Sequence, residues 1–188
     1  YEVVLRDPVL RLRHYVSERA GRKHRPAIVL VPPLMINADV YDITAQGSAV
    51  GVLMEEGVDP WVVDFGAPER QEGGLRRSLE DHVLAVSRAV DRVREETGSD
   101  VHLAGYSQGG MFCYQTVAYR RSEGLVSVIT FGSPVDTRSG MIPAVPGELA
   151  AKLLDAVGPL LARSFSGAAV PAWLSRNIFK LISPMKEI

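Results

Sequence analysis

Gly105-Tyr106-Ser107-Gln108-Gly109 has the form G-x-S-x-G and directly follows the apolar run Val101-His102-Leu103-Ala104. Behind it comes Gly110-Met111-Phe112-Cys113-Tyr114-Gln115-Thr116-Val117-Ala118, a helix-like stretch. Strand, sharp turn and helix in that order are the context a nucleophile elbow requires. Such a turn forces its central residue into a strained backbone conformation, and small neighbours keep strand and helix from clashing. Ser107 is therefore expected to project its hydroxyl from the end of a sheet, at a helix N-terminus whose free N–H groups favour negative charge. The bland alternative is a strand-to-helix turn without chemistry; the third glycine, Gly110, and the flanking pattern favour the elbow.

Outward from the elbow, the chain alternates strand and helix. Ala27-Ile28-Val29-Leu30-Val31 is a continuous apolar run, as expected of a strand buried on both faces of a parallel sheet, and Pro32-Pro33 ends it. A helix is expected over Thr44 to Glu56 with Gly57 as its stop, then a strand at Trp61 to Phe65 and a loop at Gly66-Ala67-Pro68. Ser78 and Asp81 read as a capping box, and Leu79, Val83, Val86, Val90 and Val93 recur at helical spacing up to Gly98. The elbow helix should run to about Arg121, and Val126 to Phe131 reads as a further strand. Before all of this, Tyr1 to Leu5 and Val9 to Val16 look like short strands around Asp7-Pro8, followed by a charged loop from Glu18 to Arg25. The expected fold class is α/β, a mainly parallel sheet with helices on both faces.

After Pro134 the texture changes. Five prolines, from Pro143 to Pro184, punctuate two amphipathic segments at about Glu148 to Leu161 and Pro171 to Ile182. Residues 1–136 are read as the sheet core and 137–188 as an incomplete helical cap. Its apolar faces either line an acyl-chain tunnel or simply pack on the core or on a partner.

Composition excludes more than it assigns. Over 188 residues the net charge is -1, which offers no electrostatic basis for binding nucleic acid or an anionic membrane. The single cysteine, Cys113, cannot form an internal disulfide and reads as a buried thiol in the elbow helix; a reducing, cytoplasmic setting is expected. No signal peptide, transmembrane run, metal-binding spacing or cofactor motif is found, so the expected cofactor is none.

A serine hydroxyl needs a base to take its proton, an acid to orient that base, and two N–H donors for the oxyanion. One donor is expected to be the backbone N–H of Gln108, and the other that of Leu34, with Met35 in reserve, in the loop after the Ala27 to Val31 strand. The base is missing. In this architecture histidine follows serine along the chain, yet His14, His24, His82 and His102 all precede Ser107. His102 lies in the strand before the elbow, and His82 in the first turn of the long helix, read as well below the active face. Each is given a structural role. Asp136, just past the last strand, is a weak candidate for the acid, and Asp64 is read as structural. The chain thus carries a nucleophile and an oxyanion hole without a general base, and it ends before the last strands such a sheet needs. The simplest expectation is a fragment of a longer enzyme.

These residues resemble the α/β-hydrolase superfamily, and within it the polyhydroxyalkanoate synthase-like branch. The resemblance covers most of Ala27 to Asp136. Val31-Pro32-Pro33-Leu34-Met35-Ile36-Asn37 is similar to the branch's proline-pair loop, Val63-Asp64-Phe65-Gly66-Ala67-Pro68-Glu69 to its strand-end motif, and Gly105 to Gly110 to its lipase-like box, with Thr130-Phe131-Gly132-Ser133-Pro134-Val135-Asp136 as the strand that follows. One departure matters: the polymer synthases carry cysteine where this chain has Ser107. The resemblance implies acyl chemistry on an ester or an acyl-CoA-like thioester, an acid and a histidine beyond Ile188, and fusion to or association with an acyl-activating domain. The expected function is a serine acyl hydrolase or acyltransferase acting on medium or long acyl groups through an acyl-Ser107 intermediate. The alternative is a non-catalytic hydrolase-like module that binds a lipid or a protein partner.

Overall fold

The computed structural model describes residues 1–16, 25–34, 36–71 and 74–135, together with 149, 152 and 156. The chain divides into two compact units, Tyr1–Pro134 and Val135–Ile188.

The first unit is built on a six-stranded sheet in the order β1-β2-β4-β3-β5-β6. Its strands are β1 (Glu2–Arg6), β2 (Arg11–His14), β3 (Ala27–Val31), β4 (Asp59–Asp64), β5 (Val101–Tyr106) and β6 (Leu125–Phe131). The pairs β3–β4, β3–β5 and β5–β6 are parallel, and the β1–β2 hairpin joins β4 antiparallel. All five residues of β3 are buried, which is why that run carries no polar alternation.

Each face of the sheet has its own apolar core. On one, Leu12, Val29, Val31, Trp61, Val63 and Leu103 pack against Val86, Val90 and Val93 of α2 (Leu79–Thr97) and Phe112 and Cys113 of α3 (Gln108–Arg120). On the other, Ile28, Leu30, Val62 and Ala104 meet Ala38 and Tyr41 of a 3₁₀ turn (Ala38–Tyr41) and Val50 of α1 (Ala49–Glu55). Burying a valine of this kind contributes about 1.5–3 kcal/mol.

Helix α2 forms where its caps require. Ser78 Oγ accepts from the Asp81 N–H at 3.1 Å, and the Asp81 carboxylate accepts from the Ser78 N–H at 2.7 Å. Gly98, at φ 68°, ends it in the left-handed region that glycine adopts without steric penalty. Helix α1 is shorter than its apolar pattern implies. It starts at Ala49, not near Thr44, because Thr44 Oγ1 takes the Gly47 N–H at 2.9 Å and Ser48 Oγ takes the Gly51 N–H at 2.8 Å. Hydroxyl side chains here divert backbone donors into a turn and a cap, and the helix begins only after them.

Strand β6 differs from its neighbours. It pairs with β5 alone among the described residues, and Val126, Val128, Ile129 and Phe131 are all exposed. In the second unit, Leu149, Lys152 and Ala156, three and four residues apart, are helical and exposed; the rest of the cap expected over 137–188 lies outside the described residues.

Replacing Ser78 with Ala should remove the α2 cap and lower stability by about 1 kcal/mol, while Ser78→Asp retains it. Thermal unfolding of the two variants beside the parent checks this.

Candidate functional site

The parallel strands β3, β4, β5 and β6 all end on one side of the sheet, and the elbow lies there. Ser107 follows β5 directly, with φ 53° and ψ -121°, a backbone conformation that costs a non-glycine residue about 1–3 kcal/mol. It is held by two backbone bonds. The Ser107 N–H donates to the Phe131 carbonyl of β6 at 2.7 Å, and the Ser107 carbonyl accepts from the Gly110 N–H at 3.0 Å. The side chain makes no capping bond to α3, so the helix does not tie up the hydroxyl.

The glycines of the motif are there because nothing larger fits. A Cβ on Gly109 would lie 2.0 Å from the Val31 carbonyl oxygen, and one on Gly105 would lie 2.5 Å from the Gly109 backbone. Strand β5, helix α3 and the end of β3 thus touch backbone to backbone. At Gly110 a Cβ would meet Ser133 Oγ at 1.9 Å.

Leu34, proposed from sequence as the second oxyanion donor, does lie against the elbow. Its backbone N–H donates to the side-chain carbonyl of Gln108 at 3.1 Å. The structure therefore brings together Gln108 and the Leu34 backbone, with the Gln108 side chain, not a free space, opposite the Leu34 N–H. That bond was not legible in sequence, where only the backbone of Gln108 was given a role. Met35 lies outside the described residues.

The histidines sit elsewhere. His14 stacks on Trp61 with ring centroids 3.6 Å apart and reaches Asp59 at 2.8 Å. His102 Nδ1 lies 2.8 Å from Ser127 Oγ. His82 is not far below the active end: α2 begins in the loop that leaves β4, so its first turn lies at the same end of the sheet as the elbow. Helix α2 runs antiparallel to the parallel strands, which brings its N-terminus to this end. The ring is buried, stacked on Phe112 and edge-on to Phe65, with Nδ1 2.7 Å from the Ser78 carbonyl and Nε2 without a partner among the described residues. That makes it packing between α2 and α3. His24 and Asp136 lie outside the described residues. Asp64 is structural in the full sense: it is buried, takes two bonds from Arg13 at 3.0 and 2.6 Å, and accepts from the Gly66 N–H at 2.8 Å. Cys113 is fully buried, and burial pushes its thiol pKa well up, so it is not a nucleophile here.

Among the described residues no group of three or more His, Cys, Asp and Glu is placed to hold a metal ion, and no helix is long and apolar enough to cross a membrane.

The sheet order and the elbow define a class: this is an α/β-hydrolase fold. The mature form of a Bacillus licheniformis lipase superposes with a TM-score of 0.53 at 18% identity, covering 78% of this chain and 56% of that one. A Paleococcus ferrophilus monoacylglycerol lipase gives 0.51 at 20% identity, covering 80% and 52%. Within that class the sequence is similar to subunits of poly(3-hydroxyalkanoate) polymerases. It is 35% identical over 111 residues to the poly(3-hydroxyalkanoate) polymerase subunit of Haloferax mediterranei, covering 58% of this chain and 22% of the relative. It is 27% identical over 157 residues to the corresponding subunit of Allochromatium vinosum, covering 79% and 44%. The chain thus spans less than half the length of these curated relatives. No family model matches it.

Two substitutions test the elbow. Ser107→Ala keeps the strained φ, whereas Ser107→Gly releases it. The glycine variant should therefore be about 1 kcal/mol more stable than the alanine variant in thermal unfolding, once glycine's greater unfolded-state entropy is counted. Gly109→Ala should lower stability by about 3 kcal/mol or more or prevent folding, since backbone atoms must separate to admit a methyl group. Soluble yield and melting temperature measure that.

Proposed function

We propose that this chain carries the nucleophile and oxyanion hole of a serine acyl hydrolase or acyltransferase. The observation that carries the reading is Ser107 itself, held at positive φ at the start of α3, with the Leu34 N–H bonded to the side chain of Gln108, the residue that follows it.

In this reading Ser107 Oγ attacks the carbonyl carbon of an acyl ester or acyl-CoA-like thioester, and its proton passes to a general base. The carbonyl oxygen becomes an oxyanion that accepts from the N–H groups of Gln108 and Leu34; each such donor contributes on the order of 3 kcal/mol to the transition state. To serve, the Leu34 N–H must exchange the Gln108 side-chain oxygen for the oxyanion. The carbon–oxygen or carbon–sulfur bond of the leaving group then breaks, the leaving group takes the proton, and acyl-Ser107 remains. Water or an alcohol completes the cycle.

The base and its acid come from outside the described residues. Two observations support that part: none of the described histidines is bonded to Ser107, each holding another partner through one ring nitrogen, and the exposed apolar surface of β6 matches a strand made to be covered. The longer polymerase relatives support it as well. Residues 137–188 are proposed as part of a helical cap over a medium or long acyl chain, with an acyl-activating domain as the source of a thioester substrate in the cytoplasm.

The test is Ser107→Ala in the complete protein of the source cell, paired with labelling by a serine-directed phosphonate. Stoichiometric labelling of the parent and loss of both labelling and turnover in the variant are expected. A parent protein that never reacts overturns the reading in favour of a hydrolase-like module that binds a lipid or protein partner.

A further inference from the structure

The loop that carries Leu34 is closed on itself by one buried hydroxyl. It leaves the sheet at Val31, the last residue of β3, which stands opposite Gly105 in the β3–β5 ladder. The ladder can go no further, because Pro32 has no N–H to give. Ten residues on, the Tyr41 hydroxyl returns and donates to the carbonyl of Val31 at 2.8 Å. Tyr41 is only 9% exposed, so this bond is made without competition from solvent.

That carbonyl is a junction. Helix α3 rests on it through Gly109, whose missing Cβ would lie 2.0 Å from the same oxygen. The phenol therefore braces the end of the strand that launches the Leu34 loop, and Val31 itself stands beside Gly105 near the end of the strand that launches the nucleophile.

The far side of the loop has a second anchor. Asp39 takes a 2.6 Å bond from Arg13, and Arg13 is fixed in turn by buried Asp64 of β4. Asn37 Oδ1 accepts from the Asp39 N–H at 3.1 Å and caps the 3₁₀ turn. Leu34 thus lies on a short span whose two ends are tied to β3 and β4, and its own N–H points at the Gln108 side chain.

We propose that Tyr41 is a positioning residue for acyl transfer: through Val31 it fixes where the Leu34 N–H stands relative to Ser107. This rests on the acyl-transfer reading above. It assigns Tyr41 no contact with substrate. A hydroxyl that only filled a core site would support stability alone; one that sets a donor also supports the rate at saturation, because the oxyanion forms only in the transition state.

Tyr41→Phe keeps the ring and removes the bond. In the complete protein, phosphonate labelling of Ser107 should show a maximal rate about tenfold below the parent, with the half-saturating probe concentration within about twofold and the final labelled fraction unchanged. Tyr119→Phe, an exposed phenol on α3, serves as the control. A maximal rate equal to the parent's overturns the proposal, and so does a fall that merely tracks a smaller labelled fraction, which would mean lost folding. If Tyr41→Phe does not yield folded protein, Asp39→Asn loosens the other anchor and should show the same split between rate and half-saturation; an unchanged rate there overturns the proposal equally. A parent protein that is not labelled at all sinks the acyl-transfer reading itself, a result distinct from a labelled parent with an indifferent Tyr41 variant.

Discussion

The contact between the first turn of α3 and the Val31 carbonyl is the constraint on which the site depends. An ordinary side chain at position 109 would hold the helix away from β3 by more than an ångström, since its Cβ would sit 2.0 Å from that oxygen. With glycine there, α3 can start immediately after β5, and the chain has a single residue in which to reverse. Ser107 takes up the reversal at φ 53°. Its strain is not a local preference but the consequence of two close backbone approaches, at Gly105 and at Gly109. Packing elsewhere sustains it: Val86, Val90, Leu103 and Phe112 are fully buried, so the elbow cannot relax without opening the core beneath it.

This explains which parts of the molecule could be read from sequence. The elbow was legible because its requirements are local: three glycines at fixed offsets, an apolar strand before them and a helix after. Helix α2 was legible for the same reason, with its capping box, its valine spacing and Gly98 all within one segment. Helix α1 was misjudged by five residues because the apolar pattern ran past a turn that Thr44 and Ser48 impose with their hydroxyls. His82 was placed at the wrong level because direction of travel, rather than composition, decides where a helix begins. The links that give the site its shape are long-range. Leu34 to Gln108 spans 74 residues, Arg13 to Asp64 spans 51, and nothing in the residue types alone pairs them.

The buried charge on Arg13 shows how the hairpin serves the site end of the sheet. Burial disfavours a guanidinium, but its bonds to Asp39 and Asp64 more than offset that and hold it charged. It stands on β2, outside the parallel strands, yet it fixes the 3₁₀ turn that follows β3. The antiparallel hairpin β1–β2 is therefore more than an edge cover. Arg77 continues the pattern, donating to the carbonyls of Pro8, Val9 and Phe65, which ties the hairpin tip to the loop after β4.

On the acyl-transfer reading, a serine nucleophile sets what the surroundings must supply. A thiolate is nucleophilic in its own right, while a serine hydroxyl depends on proton removal and on charge stabilisation at the attacked carbonyl. On that reading the demand on the N–H groups of Gln108 and Leu34, proposed as donors, is correspondingly greater. In the resting structure one of them is already satisfied by the Gln108 side chain, which avoids leaving a polar group without a partner beside the apolar end of the sheet. On the acyl-transfer reading an acyl oxygen would have to displace that side chain to reach the Leu34 N–H. The exchange trades one carbonyl acceptor for another while the substrate is neutral, and gains only as negative charge builds on the oxygen. On that reading such an arrangement would favour the transition state over the bound ester, which is where stabilisation raises a rate.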